Sequence, residues 1–407
     1  MKKRLIALGL CAVLLFCSGC ASILEGETLS VSPHVEDRTE RVPAKSYMEI
    51  ESYDALYDAV RSMVANHAEK GYFRASNYSG DLDADVEKAC QSVYYDDPLG
   101  AFALYYITGA TSRIVTYYEV EITATYKRTW IQMNSIISAS SLRYFESELL
   151  NRLTGYSDYF AVRIDLESVT PESIVRFLSD AYYDNPIRVV VAPEVTVNMF
   201  PDEGEDRIAE VICEYDYPTR ELRSMTEELR RAALELSGRV ESELDHEILL
   251  ELCLMLSEAT EFDLATANDG SFTRRDKVAT AYGALVEHLA VGEGFAMAYK
   301  ALCDEFGIDC RVVIGRKNGV AHAWNIVKLD GDWFHVDVSA CEDEGLQAAF
   351  LLNDADMTGY WWDSLEYVAC DSGRGFEDFF PPEEPEEQQE EAGEPEPEET
   401  PTEPADT

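Results

Sequence analysis

The residues best placed to do chemistry are His322 and Asp337, in Ala321-His322-Ala323-Trp324-Asn325 and Phe334-His335-Val336-Asp337-Val338-Ser339. An imidazole beside a carboxylate is the orienting half of an acyl-transfer triad, in which the base moves a proton while the acid fixes its tautomer. Spacing alone brings the two together. Asp330-Gly331 is a type I′ turn signal, so Val320–Lys328 and Asp332–Val338 should form a hairpin. A two-residue loop pairs Leu329 with Asp332, hence Trp324 with Asp337 and His322 with Ser339. His322 and Asp337 then share a face as diagonal neighbours, roughly 7–8 Å apart at Cα and within reach of a hydrogen bond. His335, on the same face, reads as core packing.

A helix has to face this hairpin if the pair is to act. Residues Glu293 to Phe306 supply one, because Phe295, Tyr299, Leu302, Cys303 and Phe306 fall on one face and Gly307 ends it. Cys310 to Gly315 then reads as a short strand. The helix begins within Val291-Gly292-Glu293-Gly294-Phe295-Ala296. Together the three blocks resemble the transglutaminase-like superfamily, whose core pattern is V-C-E-G-Y-A at a helix start, H-A-W-N on one strand and W-Y-H-V-D-V-T on the next. The resemblance covers residues 219–362 and implies a C-terminal domain of the papain-like α+β kind.

The resemblance also implies that the nucleophile's position falls on Gly292. There the family carries a cysteine, held as a thiolate by the helix dipole and the imidazolium. No serine, threonine or cysteine lies within one turn of Gly292. Cys303 is eleven residues further along the helix, about 16 Å away. Cys341 stands where Ser339-Ala340-Cys341 departs from the family's Thr-Trp-Asp, and is the remaining substitute. Its neighbours Glu342, Asp343 and Glu344 should raise a thiol pKa and blunt its reactivity. The leading expectation is a non-catalytic domain that binds or scaffolds peptide or cell-envelope material. The alternatives are an active cysteine peptidase or transamidase with a relocated nucleophile such as Cys341, and a structural spacer. No cofactor motif is present, and the absence of any C-x-x-C pair argues against a structural zinc.

Ahead of this domain lies an internal repeat. Tyr72-Phe73 precedes Tyr94-Tyr95-Asp96-Asp97-Pro98, and Tyr159-Phe160 precedes Tyr182-Tyr183-Asp184-Asn185-Pro186, at intervals of 26 and 27 residues. Each copy reads as helix, short strand, helix and two strands. Helices are expected over 53–65 and 84–94, then 141–153 and 171–181, the last with Thr170 as cap and Pro171 in the first turn. Strands are expected over 101–107 and 115–126, then 187–198 and 208–217. The Tyr-Tyr-Asp-Asp/Asn-Pro signature reads as helix-ending chemistry, with the tyrosines capping a core.

The two ends differ from the rest. Met1-Lys2-Lys3-Arg4, the apolar run Leu5 to Phe16, and Cys17-Ser18-Gly19-Cys20 resemble a bacterial lipoprotein signal, which implies cleavage before Cys20 and acylation of its thiol. Several acyl chains on one residue would anchor the chain on the outer face of a membrane. From Pro381 to Thr407 there are twelve acidic residues and no basic ones, a composition that cannot bury a core. Setting that tail aside leaves 66 acidic against 33 basic residues, which excludes nucleic acid as a partner. Seven cysteines remain after the signal and Cys20, an odd number scattered along the chain, and they read as small buried hydrophobes of an exported protein whose thiols persist reduced. The expected organisation is a signal peptide at 1–19, a linker at 20–45, α/β modules at 46–135 and 136–217, a transglutaminase-like domain at 218–378, and a disordered acidic tail at 379–407. Oligomeric state is not legible.

Overall fold

A computed structural model describes residues 47–382 apart from 167. The signal peptide, Cys20, the linker and nearly all of the acidic tail lie outside the described residues. Among the described residues no helix is long and apolar enough to cross a membrane.

Both repeat copies contain the expected helix, strand, helix and two strands, with an added strand ahead of the first helix in each and an added helix before the last two strands in the first. In the first, Tyr53–Ala65 starts where the Ser52 hydroxyl accepts from the Ala55 amide, and Leu82–Tyr95 where Asp81 accepts from Ala84. These caps satisfy amides that a helix's first turn leaves unpaired. Strands Lys70–Ala75, Tyr117–Tyr126 and Leu104–Ile114 lie side by side and antiparallel. Val120, Ile122 and Ala124 alternate along the middle strand and share a core with Leu56, Val60 and Val93.

The second copy places Ile137–Ala139, Tyr159–Asp165, Asp206–Glu214 and Glu194–Phe200 in that order, the first pair parallel and the others antiparallel. Its helices are Leu142–Thr154 and Pro171–Asp184, the latter held by a reciprocal cap between Thr170 and Ser173.

Three strand expectations fail in part, one of them Asp332–Val338, which ends at Val336 ahead of a helix that begins at Val338. The strand expected over 101–107 begins only at Leu104, because Pro98–Ala103 is a helix. Asp97 caps it by accepting from the Gly100 amide at 2.9 Å, with Pro98 pre-set for the first turn, so in this copy the signature starts a helix as well as ending one. The strand expected over 187–198 begins at Glu194. Val189, Val190 and Val191 are buried without strand pairing, and Pro193, which has no amide hydrogen, stands just before the ladder.

The C-terminal part follows. Helices Thr219–Ser237 and Asp245–Ala259 lead to the cleft helix Gly292–Glu305. This helix packs against a five-stranded antiparallel sheet ordered Phe350–Leu352, Asp332–Val336, Val320–Leu329, Cys310–Lys317 and Tyr360–Trp362. One apolar core runs unbroken from Ala139 in the second copy through the cleft helix to Leu351. The central hairpin has the expected register, Leu329 opposite Asp332 and Asn325 opposite Val336. Asp330 and Gly331 both have positive φ (52° and 95°), as a type I′ turn requires. Asn325, buried on the face away from His322, donates to the Ala296 carbonyl at 2.9 Å and ties the hairpin to the cleft helix.

Candidate functional site

His322 and Asp337 meet just beyond the last ladder pair, Asn325 opposite Val336; the expected pairings of Trp324 with Asp337 and His322 with Ser339 are not formed, because a helix begins at Val338. Nε2 of His322 lies 2.7 Å from Oδ2 of Asp337, and the side chains are 10% and 2% exposed. A carboxylate only accepts, so Nε2 is the donor and Nδ1 is the ring nitrogen left for another partner. Asp337 has further partners. Tyr360 donates to Oδ2 at 2.6 Å, Ser339 donates to Oδ1 at 2.7 Å, and Lys317 Nζ lies 3.5 Å from Oδ2. Burial alone would raise this carboxyl's pKa. The charge and hydrogen bond of His322, the Lys317 ammonium and the Tyr360 phenol outweigh it and hold the group ionised well below the usual range. Tyr360 is pushed the other way, by burial and by the carboxylate it faces.

Nδ1 of His322 points at Gly292, the first residue of the cleft helix. A Cβ built on Gly292 would collide with Nδ1 and stand 2.5 Å from Cε1 of the same ring. The imidazole therefore fills the space that a side chain at 292 would enter, and the base faces a residue with nothing to deprotonate. Around it opens a cleft of about 620 Å³, lined by Phe262, Phe272, Gly292, His322 and Ser339 among others. Its apolar walls and few convergent polar groups suit a ligand with both characters.

The next residue, Glu293, comes from the same turn. Burial pushes its carboxyl up, while the Tyr183 hydroxyl at 2.8 Å and the charge of Arg274 partly offset the rise. Tyr183 belongs to the second copy's Tyr-Tyr-Asp-Asn-Pro signature. Tyr182 is fully enclosed in the core, as the sequence suggests, whereas Tyr183 reaches the start of the cleft helix 110 residues away. Tyr183→Phe is expected to cost about 1–3 kcal/mol at neutral pH by leaving a buried carboxylate without its donor. Urea unfolding measures it, and the cost should shrink as the pH falls and Glu293 takes up a proton.

Cys341, the candidate substitute nucleophile, does not line this cleft. It is buried in the core, its Sγ 3.2 Å from Cys253 Sγ, and it donates to the Asp337 carbonyl at 3.3 Å. Cys303 and Cys310 are likewise buried. The structure joins His322, Asp337 and Gly292, and Cys341 touches this group through the Asp337 backbone carbonyl.

Residues 231–338 match the family described as the transglutaminase-like superfamily. This stretch is a transglutaminase-like domain. Similar solved structures include a TGase (12% identity, 55% of this chain and 65% of that one, TM-score 0.27). Others are a candidate cysteine protease from Cytophaga hutchinsonii (14%, 44% and 69%, 0.24) and a candidate protease from Parabacteroides distasonis (8%, 66% and 43%, 0.21). The chain thus spans less than two thirds of the first of these structures. No curated protein matches. The assignment rests on the family match, which takes in the cleft helix, the hairpin and Asp337.

Around Asp337 of the transglutaminase-like domain, sequence reasoning missed Tyr360, Lys317 and Ser339. It did anticipate burial for His335, which is 1% exposed. The Trp324 indole can only donate, and it does so to Nδ1 of His335 at 2.9 Å, leaving Nε2 to donate to Asp354 at 2.8 Å. That arrangement fixes the neutral ring. Burial lowers its pKa, with Asp354 partly offsetting. A base whose folded pKa is depressed binds fewer protons than in the unfolded chain, so its contribution to stability falls as pH drops through about 6.5. The His335 ring is expected to titrate below that value by NMR; a midpoint above it would contradict the assignment. Donor atoms of His335, Asp354 and Cys370 lie within 4.8 Å of one another. His335 is already committed to Trp324 and Asp354, and Asp354 Oδ1 also accepts from the Cys370 amide at 3.2 Å.

Proposed function

We propose that the chain is a bacterial surface lipoprotein whose transglutaminase-like domain binds rather than cuts. The cleft at Gly292 takes peptide or cell-envelope material, and acyl groups on Cys20 hold the chain on the outer face of the membrane. The observation that carries this reading is the contact between Gly292 and His322. The base of an acyl-transfer site occupies the place where a nucleophile's side chain would stand, and loss of the nucleophile removes nearly all the chemistry of such a unit. The burial of Cys341 against Cys253 weighs against the alternative of a relocated nucleophile. A retained His322–Asp337 pair then serves as a polar wall: an imidazole oriented by Asp337 presents Nδ1 for a hydrogen bond with a polar group of the ligand.

The test is a binding assay with peptides and cell-wall fragments on the wild type and on Ala321→Trp, which fills the cleft from an exposed lining position. Binding lost in the variant supports the reading. Thiol-dependent amidase or transamidase turnover that disappears in His322→Ala overturns it.

A further inference from the structure

We propose that Cys253 and Cys341 are a disulfide-forming pair, a covalent modification site that ties helix Asp245–Ala259 to the turn immediately after Asp337. Their Sγ atoms are 3.2 Å apart across 88 residues of sequence. Two apolar groups that merely pack meet at about 4 Å, whereas a disulfide closes at about 2.05 Å. Closure therefore asks for a movement of roughly 1 Å. The two elements are already in contact, and both residues lie in the same core. Cys341 sits in the short helix Val338–Glu344, and its thiol donates to the Asp337 carbonyl. A bond there would fix the backbone from which the site carboxylate projects. Oxidation of the pair also gives a role to the thiol that the cleft leaves unused.

The chemistry is thiol–disulfide exchange with a disulfide-class oxidant. One cysteine thiolate attacks the oxidant's disulfide and expels a thiolate, and the second cysteine thiolate then attacks the protein sulfur of the mixed disulfide and expels the oxidant's remaining thiolate. The pair loses two electrons and two protons, and the oxidant becomes two thiols. Both residues are buried, so the bond forms while the chain folds and is shielded from reductant afterwards. It stabilises chiefly by shortening the loop available to the unfolded chain.

The site stands apart from the binding role and is tested without any assay of it. The full chain is refolded in mixed reduced and oxidised glutathione, alkylated under denaturing conditions and digested without reductant. A peptide linking Cys253 to Cys341, with both residues protected from alkylation until reduction, is the expected result. The melting temperature of the oxidised protein should exceed that of the reduced protein by about 5 °C. Cys253→Ser should leave Cys341 open to alkylation; if that variant does not fold, the wild-type map decides alone. Alkylation of both residues in the oxidised refold overturns the proposal, as does a link between Cys303 and Cys310 in place of this one. A linked pair in a protein whose melting temperature does not move on reduction overturns the stabilising role.

Discussion

Replacing Asp337 with alanine is expected to cost about 3–5 kcal/mol of unfolding free energy. The carboxylate is 2% exposed and is the common partner of His322, Tyr360, Ser339 and Lys317. Its removal leaves a phenol, a hydroxyl and an imidazole facing a hole and an ammonium without its buried counter-charge. Asp337→Asn keeps the shape and loses the charge, so a smaller loss is expected. Urea unfolding followed by tryptophan fluorescence measures both. The pH dependence carries a further sign. A carboxyl whose folded pKa lies below its unfolded value contributes stability that is complete above the unfolded pKa of about 3.9 and is lost as the pH falls toward the folded value. The wild type should therefore lose stability relative to Asp337→Asn on acidification below about pH 4. A wild-type advantage that stays constant to pH 2.5 would refute this.

The second large effect is at Gly292. Any side chain there meets a ring that Asp337 holds in place, so Gly292→Ala is expected to cost about 1–3 kcal/mol through overpacking. Gly292→Cys carries a similar cost and adds a thiol at a helix N-terminus facing Nδ1. The helix dipole and an imidazolium both favour the thiolate, so its pKa should fall below the ordinary value of about 8.5. Alkylation by iodoacetamide at pH 7 should then be about tenfold faster than for an ordinary thiol, and His322→Ala in the same background should remove most of the gain. An unactivated rate at residue 292 would mean that the ring, once displaced, no longer pairs with the position.

The hairpin was legible because its determinants are local. Asp330-Gly331 sets the turn and the period-two alternation of a strand does the rest, which puts two residues fifteen apart within hydrogen-bond reach. The helix start was legible to within one residue from the run that follows it, with Glu293 expected and Gly292 found. What escaped was set by distant chain segments. Tyr360 reaches Asp337 from an edge strand beside Cys310–Lys317, and Tyr183 reaches Glu293 from another sheet's helix; neither has a spacing signal. The valines at 189–191 read as a strand because β-branched residues favour strands, but burial in the core satisfied them without ladder pairing. Cys253 and Cys341 read as scattered core residues, and only the packing of two helices brings their sulfurs together.

The central claim is that the cleft has an orienting pair and no nucleophile. It is tested most directly by exposing the native wild-type chain at neutral pH to an iodoacetamide-type probe, with His322→Ala in parallel, and mapping every modified cysteine. Slow labelling that is the same in both proteins is the expected result. Rapid capture at one residue, Cys341 above all, that is lost in His322→Ala would contradict it.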